Sequence, residues 1–294
     1  MFRPEGIIVA MSTPFFKDES INEPEVRNQV RRFVKAGIDG ILCLGTNGEF
    51  YALSFAEKIR IMEIVKDETG DEIPIYAGTG AATTKETLAL TWRANQIGFD
   101  CVAIITPYYA KSRQSELHKH YSQIADAVDI PILIYNLPAR TGVHIHRQTV
   151  SQLANEHPNI VGIKDSSGDF NNILRYIEET RDDFSVLSGE DMLILWTLKA
   201  GGKGGITGIA NIYPETLAGI YDLWKAGDLK AAREAQESLR PICDCLRLGN
   251  PNSIIKRATL LLGENVGPVR EPFNLDDPEI DRELLDVMRT HELS

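Results

Sequence analysis

Ile160-Val161-Gly162-Ile163-Lys164-Asp165 sets a lysine at the end of an unbroken apolar, β-branched run. A strand that is apolar at successive positions, rather than at alternate ones, belongs to a parallel sheet covered on both faces. Seven further runs share the character of 160–164: residues 6–12, 40–45, 74–78, 101–106, 131–136, 185–189 and 205–209. Between them lie amphipathic stretches with helix start signals. Ser54-Phe55-Ala56-Glu57 and Thr83-Thr84-Lys85-Glu86 read as capping boxes, and Asn22 stands ahead of Pro24 and Glu25. Gly37, Gly98 and Gly201 stop helices just before the next strand. The repeat of about 25 to 35 residues is that of a βα module. Eight modules in series predict an α/β fold closed into a (β/α)8 TIM barrel rather than an open Rossmann sheet.

Beyond residue 209 the pattern changes. Stretches 213–226, 229–248, 252–262 and 278–289 read as helices, with no further strand and no linker rich in Pro, Gly and Ser. The expected organisation is a catalytic barrel over residues 1–225 and a C-terminal helical region, 226–294, packed on it.

A chain of 294 residues can bury roughly 75% of its unfolded surface, so it needs no disulfide or metal staple. Its net charge of −11 argues against a broad basic surface for nucleic acid or anionic membrane. An anionic substrate would therefore need local positive groups. Cys43 and Cys101 sit in apolar runs and read as small buried hydrophobes. Cys243 and Cys245 have no second Cys or His pair at metal-ligand spacing. Residues 1–6 lack an apolar signal core, and no stretch approaches eighteen apolar residues. A cytoplasmic protein without membrane contact is expected.

Barrel enzymes do their chemistry where strands end and βα loops begin. Lys164 is at such a point. Desolvating an ammonium is costly, and burial favours the neutral amine that can attack a carbonyl. On residue type and position alone, a lysine that merely pairs with Asp165 stands equally open. Tyr135 ends the preceding strand, where a phenol can move protons or simply pack. Arg140, in Pro138-Ala139-Arg140-Thr141-Gly142, is either a carboxylate fork or a solvated loop residue. Gly45-Thr46-Asn47-Gly48-Glu49 follows the second strand, and successive N–H groups of such a turn can hold a carboxylate.

Two glycine-rich stretches are decoys. Gly78-Thr79-Gly80 has Thr83 where a dinucleotide fingerprint needs its third glycine, and no Walker spacing surrounds Gly201-Gly202-Lys203-Gly204-Gly205. His118-x-His120 reads as a solvated pair on a helix, and His144-x-His146 is a weak metal candidate. Neither a metal nor an organic cofactor is expected.

Taken together, these segments resemble the dihydrodipicolinate synthase/N-acetylneuraminate lyase family of class I aldolases. The likeness runs from Gly6 to at least Ile209. It rests on four motifs in the family's order: Gly45-Thr46-Asn47-Gly48-Glu49, Tyr135-Asn136-Leu137-Pro138, Gly162-Ile163-Lys164-Asp165 and Gly202-Lys203-Gly204-Gly205-Ile206. The resemblance implies that Lys164 forms an imine with pyruvate while Tyr135 orients the substrate and relays protons. It implies that Thr46 and Asn47 grip the pyruvate carboxylate through their backbone N–H groups, with Thr46 among the catalytic residues. Gly189 and Ile206 would line the pocket. Tyr109, in Thr106-Pro107-Tyr108-Tyr109, matches the tyrosine that family members insert into a neighbouring subunit's site, so a homodimer or homotetramer is implied.

Arg140 matches the arginine that binds the carboxylate of aspartate semialdehyde in the lysine-biosynthesis synthases. Asn47 points elsewhere, because synthases typically carry a second threonine there whose hydroxyl links two tyrosines in a relay. Asn47, Phe50 and the run Lys164-Asp165-Ser166-Ser167-Gly168-Asp169 look more like 4-hydroxy-2-oxoglutarate and sugar-acid aldolases. The synthase reaction ranks narrowly first because Arg140 is a charge-specific contact. A non-catalytic oxo-acid binder and an unrelated metal- or phosphate-dependent barrel rank below. Phe50, Tyr51, Phe55 and Lys58 replace the small residues and histidines of lysine-inhibited synthases, so insensitivity to lysine is expected.

Overall fold

The eight apolar runs pair in parallel, each with its successor and the last with the first. The closed barrel comprises β1 (Gly6–Ala10), β2 (Gly40–Cys43), β3 (Ile75–Gly78), β4 (Cys101–Ile105), β5 (Ile132–Asn136), β6 (Ile160–Asp165), β7 (Ser185–Ser188) and β8 (Gly204–Thr207). This computed structural model describes residues 2–292. Several strands end sooner than their apolar runs, because the chain is already turning. Leu44 has left the strand for a left-handed conformation (φ 58°), and Ile209–Asn211 forms a 3-10 turn.

Continuous apolarity has a direct cause here. One side of each strand fills the barrel interior, where Ile8, Leu42, Tyr76, Leu133, Val161 and Ile206 meet. The other side, including Ile7, Val9, Ile41, Ile134 and Ile163, packs under the helices. Helices Glu23–Lys35, Phe55–Thr69 and Thr84–Ile97 begin at the expected caps. Asn22, Ser54 and Thr83 each accept a backbone N–H three residues on; Glu57 returns a bond to the Ser54 N–H, whereas at Thr83 only the side-chain half of the expected capping box forms.

β6 carries an irregularity that no periodicity argument anticipates. Ile132 pairs with Ile160, but Leu133 pairs with Gly162, so β6 holds one residue more than β5 at Val161. A bulge of this kind reverses the inside–outside alternation downstream of it. Ile163 consequently faces the helices, and Lys164 faces into the barrel.

After β8 come helices Pro214–Lys225, Leu229–Ser238, Arg240–Cys245, Pro251–Leu261 and Pro278–Glu292. The single helix expected over 229–248 is in fact divided at Leu239, since Pro241 has no N–H to continue the ladder, and Leu246–Leu248 tightens into a 3-10 turn. Leu239, Ile242, Ile254, Leu284 and Met288 are buried in the same apolar cluster as the outer face of the barrel.

The reading of His118 and His120 as a solvated pair is corrected. His118 bonds Glu156 at 2.8 Å at the surface, but His120 is buried, bonds the Thr84 hydroxyl at 2.9 Å, and is pushed down to about 4 by desolvation. Cys43, Cys101 and Cys245 are buried free thiols, and Cys243 is half-buried. Among the described residues no group of three or more His, Cys, Asp or Glu is disposed to hold a metal ion, and no helix is long and apolar enough to cross a membrane.

Candidate active site

The bulge in β6 decides what Lys164 can reach. Lys164 pairs with Tyr135 across the β5–β6 ladder, is only 4% exposed, and holds its amine 4.3 Å above the centre of the Tyr135 ring. Asp165 points the opposite way. It accepts hydrogen bonds from Asn136 Nδ2 at 2.6 Å, Ser167 Oγ at 2.6 Å and Asn172 Nδ2 at 3.1 Å, while burial raises its carboxyl. A lysine that merely neutralises Asp165 is therefore ruled out by the strand's alternation: the two side chains lie on opposite faces.

Seven of the eight residues singled out from the sequence line one cavity of about 180 Å3 at the C-terminal end of the strands. These are Thr46, Asn47, Tyr135, Arg140, Lys164, Gly189 and Ile206. Tyr109 is not among them. It lies in an adjoining opening of about 320 Å3 that shares Thr46 and Arg140, is 99% exposed, and carries a positive φ of 74°. A positive φ is an outlier for a bulky residue such as tyrosine.

Gly189 has a steric reason to be glycine. A Cβ there would stand 2.8 Å from Lys164 Cε and 1.9 Å from Ser166 Oγ, so only a bare backbone lets the lysine chain pass.

The 45–49 turn is bounded by two non-glycine residues in the left-handed region, Leu44 at φ 58° and Glu49 at φ 55°. Its threonine, not its asparagine, meets the phenol: Thr46 Oγ1 is 3.3 Å from Tyr135 OH. The expectation that a missing hydroxyl at Asn47 interrupts the tyrosine contact is thus corrected. Asn47 instead directs its amide towards β8, where a Cβ on Gly208 would stand 2.5 Å from Asn47 Nδ2.

Arg140, in the single helical turn Pro138–Thr141, is exposed at the cavity rim, and its Nη2 donates to Asn250 Oδ1 at 3.1 Å. Two carboxyls that sequence reasoning missed, Glu190 and Asp191, line the same cavity directly after Gly189. Asp191 is buried, accepts from the Thr207 hydroxyl and from the Ile209 N–H at 3.2 Å, and is raised by burial, with the Lys164 charge opposing. Glu190 is raised by burial and by Asp191 beside it. Their signal was present as a Glu-Asp pair at the end of a strand. The cavity thus joins an arginine at its rim, carboxyls at its wall, and an amine over a phenol ring. An amine so enclosed can attack a carbonyl, with the phenol carrying protons.

A second buried lysine also went unread. Glu49 is fully buried and faces away from the cavity, accepting from Lys256 Nζ at 2.9 Å and from the Arg270 N–H at 3.0 Å. Lys256 and Arg270 both lie over the Phe15 ring, at 4.1 and 4.4 Å. Burial pushes Lys256 down to about 8 against the pull of Glu49. The signal was the same as for Lys164: a lysine amid apolar neighbours, Ile254-Ile255-Lys256.

Fold and site together define a barrel lyase of the class I aldolase type. The model of the Dihydrodipicolinate synthetase family matches residues 3–290, and the chain belongs to that family. It is 42% identical over 273 residues to the 4-hydroxy-tetrahydrodipicolinate synthase of Methanopyrus kandleri, covering 92% of this chain and 91% of that protein. Identity to the enzyme of the same name from Methanospirillum hungatei is 39% over 291 residues, covering 98% and 99%. Among solved structures, dihydrodipicolinate synthase from Aquifex aeolicus superposes with a TM-score of 0.95 at 33% identity, covering 99% of each chain. YagE, a prophage protein of the same family from E. coli K12 solved in complex with pyruvate, gives 0.95 at 31% identity, also covering 99% of each.

Proposed function

We propose that this chain condenses pyruvate with aspartate semialdehyde through a Schiff base on Lys164, the 4-hydroxy-tetrahydrodipicolinate synthase reaction. The observation that carries this reading is the Lys164 amine, nearly removed from solvent over the Tyr135 ring in a cavity whose rim holds Arg140. Lys164 attacks the ketone carbon of pyruvate, and water leaves to give a protonated imine. The imine withdraws electrons, C3 loses a proton, and the resulting enamine carbon attacks the aldehyde carbon of the acceptor. The acceptor's own amine then displaces Lys164 from the imine carbon, closing a ring and freeing the enzyme. One water is lost overall.

In this reading the N–H groups of Thr46 and Asn47 hold the pyruvate carboxylate, and Tyr135 moves protons with Thr46 as its hydroxyl partner. Gly189 and Ile206 present backbone to the bound substrate. Tyr109 reaches into the site of a second copy, which makes the working unit a homodimer, or a homotetramer built from two.

Arg140 would bind the acceptor carboxylate with charge-assisted hydrogen bonds. Arg140→Ala is expected to lower kcat/KM for aspartate semialdehyde on the order of 10- to 100-fold, with pyruvate capture unchanged. The deciding experiment is a coupled assay comparing aspartate semialdehyde, 4-hydroxy-2-oxoglutarate, 2-keto-3-deoxygluconate and N-acetylneuraminate. Turnover of a sugar acid, and none with aspartate semialdehyde, would overturn the synthase reading. It would favour instead the aldolase reading, which rests on Asn47 lining the cavity.

Lysine is expected not to inhibit. Lys58, at one of the positions where lysine-inhibited synthases tend to carry a histidine, is 5% exposed with its amine 3.7 Å from Glu86. A cation already stands there. Titration calorimetry with lysine should show no binding, and tight binding would refute the expectation.

A further inference from the structure

We propose that helix Pro251–Leu261 of the C-terminal region aims the substrate-carboxylate turn, with Asn252 and Lys256 as positioning residues. The inference rests on the reading above, in which the N–H groups of Thr46 and Asn47 hold pyruvate.

The two side chains lie one helical turn apart, so they project from the same face. Both are almost completely buried, Asn252 at 3% and Lys256 at 1%. Asn252 Nδ2 donates to the Thr46 carbonyl at 2.8 Å and to Tyr51 OH at 3.2 Å. The Thr46 carbonyl also accepts from the Glu49 N–H at 3.1 Å, so both of its lone pairs are engaged. Four residues along, Lys256 Nζ donates to Glu49 Oε1 at 2.9 Å and to the Thr13 carbonyl at 2.6 Å. Thr13 in turn donates its hydroxyl to the Gly48 carbonyl at 2.7 Å. The helix therefore grips the turn at Thr46 and at its last residue, Glu49, and reaches Gly48 through Thr13.

Peptide planarity converts that grip into substrate geometry. In a trans peptide the carbonyl oxygen and the following N–H point in opposite directions. Holding the Thr46 oxygen against Asn252 therefore directs the Asn47 N–H away from the helix. Glu49 has to be held as well, because it takes a left-handed backbone conformation without being glycine, which costs strain that surrounding contacts must offset. Neither Asn252 nor Lys256 needs to touch the reacting atoms. They act through the turn.

A steady-state comparison of Asn252→Ala and Lys256→Gln with Arg257→Ala tests this. Arg257 is on the same helix but faces Asp281, so its loss weakens the C-terminal packing without touching the turn. Asn252→Ala is expected to raise the pyruvate KM about tenfold, the effect of losing the hydrogen bond to the Thr46 carbonyl, leaving the aldehyde KM within twofold and lowering kcat less than it raises the pyruvate KM. Lys256→Gln should move the same constant in the same direction, and Arg257→Ala should leave it alone. Borohydride trapping of acetone, a ketone without a carboxylate, should be indifferent to all three substitutions. A pyruvate KM unchanged in Asn252→Ala, or raised equally in Arg257→Ala, would overturn the proposal. Absence of a borohydride-trapped pyruvate adduct on the unsubstituted enzyme would instead count against the Lys164 reading, which keeps the two failures distinct.

Discussion

Lys164→Arg is expected to lower kcat/KM on the order of 10⁴-fold or more, with the barrel still folded. The guanidinium keeps the charge and a similar length, but it does not lose its proton under ordinary conditions and cannot add to a ketone. The loss therefore separates covalent chemistry from electrostatic binding of an anionic substrate, which arginine would preserve. Position 164 tolerates little else. The lysine chain threads past the bare backbone of Gly189 and lies against the Tyr135 ring. A circular dichroism melt within a few degrees of the unsubstituted protein would show that the effect is chemical. Appreciable turnover by the arginine variant would mean that the imine forms elsewhere or not at all.

Tyr135→Phe should give the second-largest loss, on the order of 10²- to 10³-fold in kcat, by removing a single oxygen. The ring survives, and with it the contact under the Lys164 amine. What disappears is the phenolic proton and its 3.3 Å contact with Thr46 Oγ1. Thr46 is only half-buried, so water can replace the lost partner, and the stability cost should be about 1 kcal/mol or less. Pyruvate should still be captured, but slowly, because dehydration to the imine and removal of the C3 proton both need a proton carrier. A phenylalanine variant within threefold of the unsubstituted rate would remove Tyr135 from the mechanism.

The parts of this molecule that were legible in advance are those governed by local physics. Eight unbroken apolar runs implied a sheet buried on both faces, and Asn22, Ser54 and Thr83 announced helix starts through the donors they satisfy. Lys164 stood out because a cation in a buried strand demands an explanation. The remainder depended on contacts between distant segments. Strand periodicity alone cannot show the extra residue at Val161, yet that residue turns Lys164 inward. Motif spacing could not say which residue of the Thr46-Asn47 pair meets the phenol, since that depends on how the turn is held. Its anchor, Lys256, lies 207 residues further along the chain from Glu49. His120 was misjudged for the same reason. An i,i+2 pair must diverge on a helix, but divergence does not say which member faces the core.

The central claim is that one amine, turned inward by a strand irregularity, bonds covalently to the keto carbon of pyruvate. Incubation with pyruvate followed by borohydride reduction, proteolysis and peptide mass spectrometry measures this directly. The account predicts a single reduced adduct, on the peptide containing Lys164. An adduct on a different lysine, or none under conditions where the enzyme turns over, would contradict it.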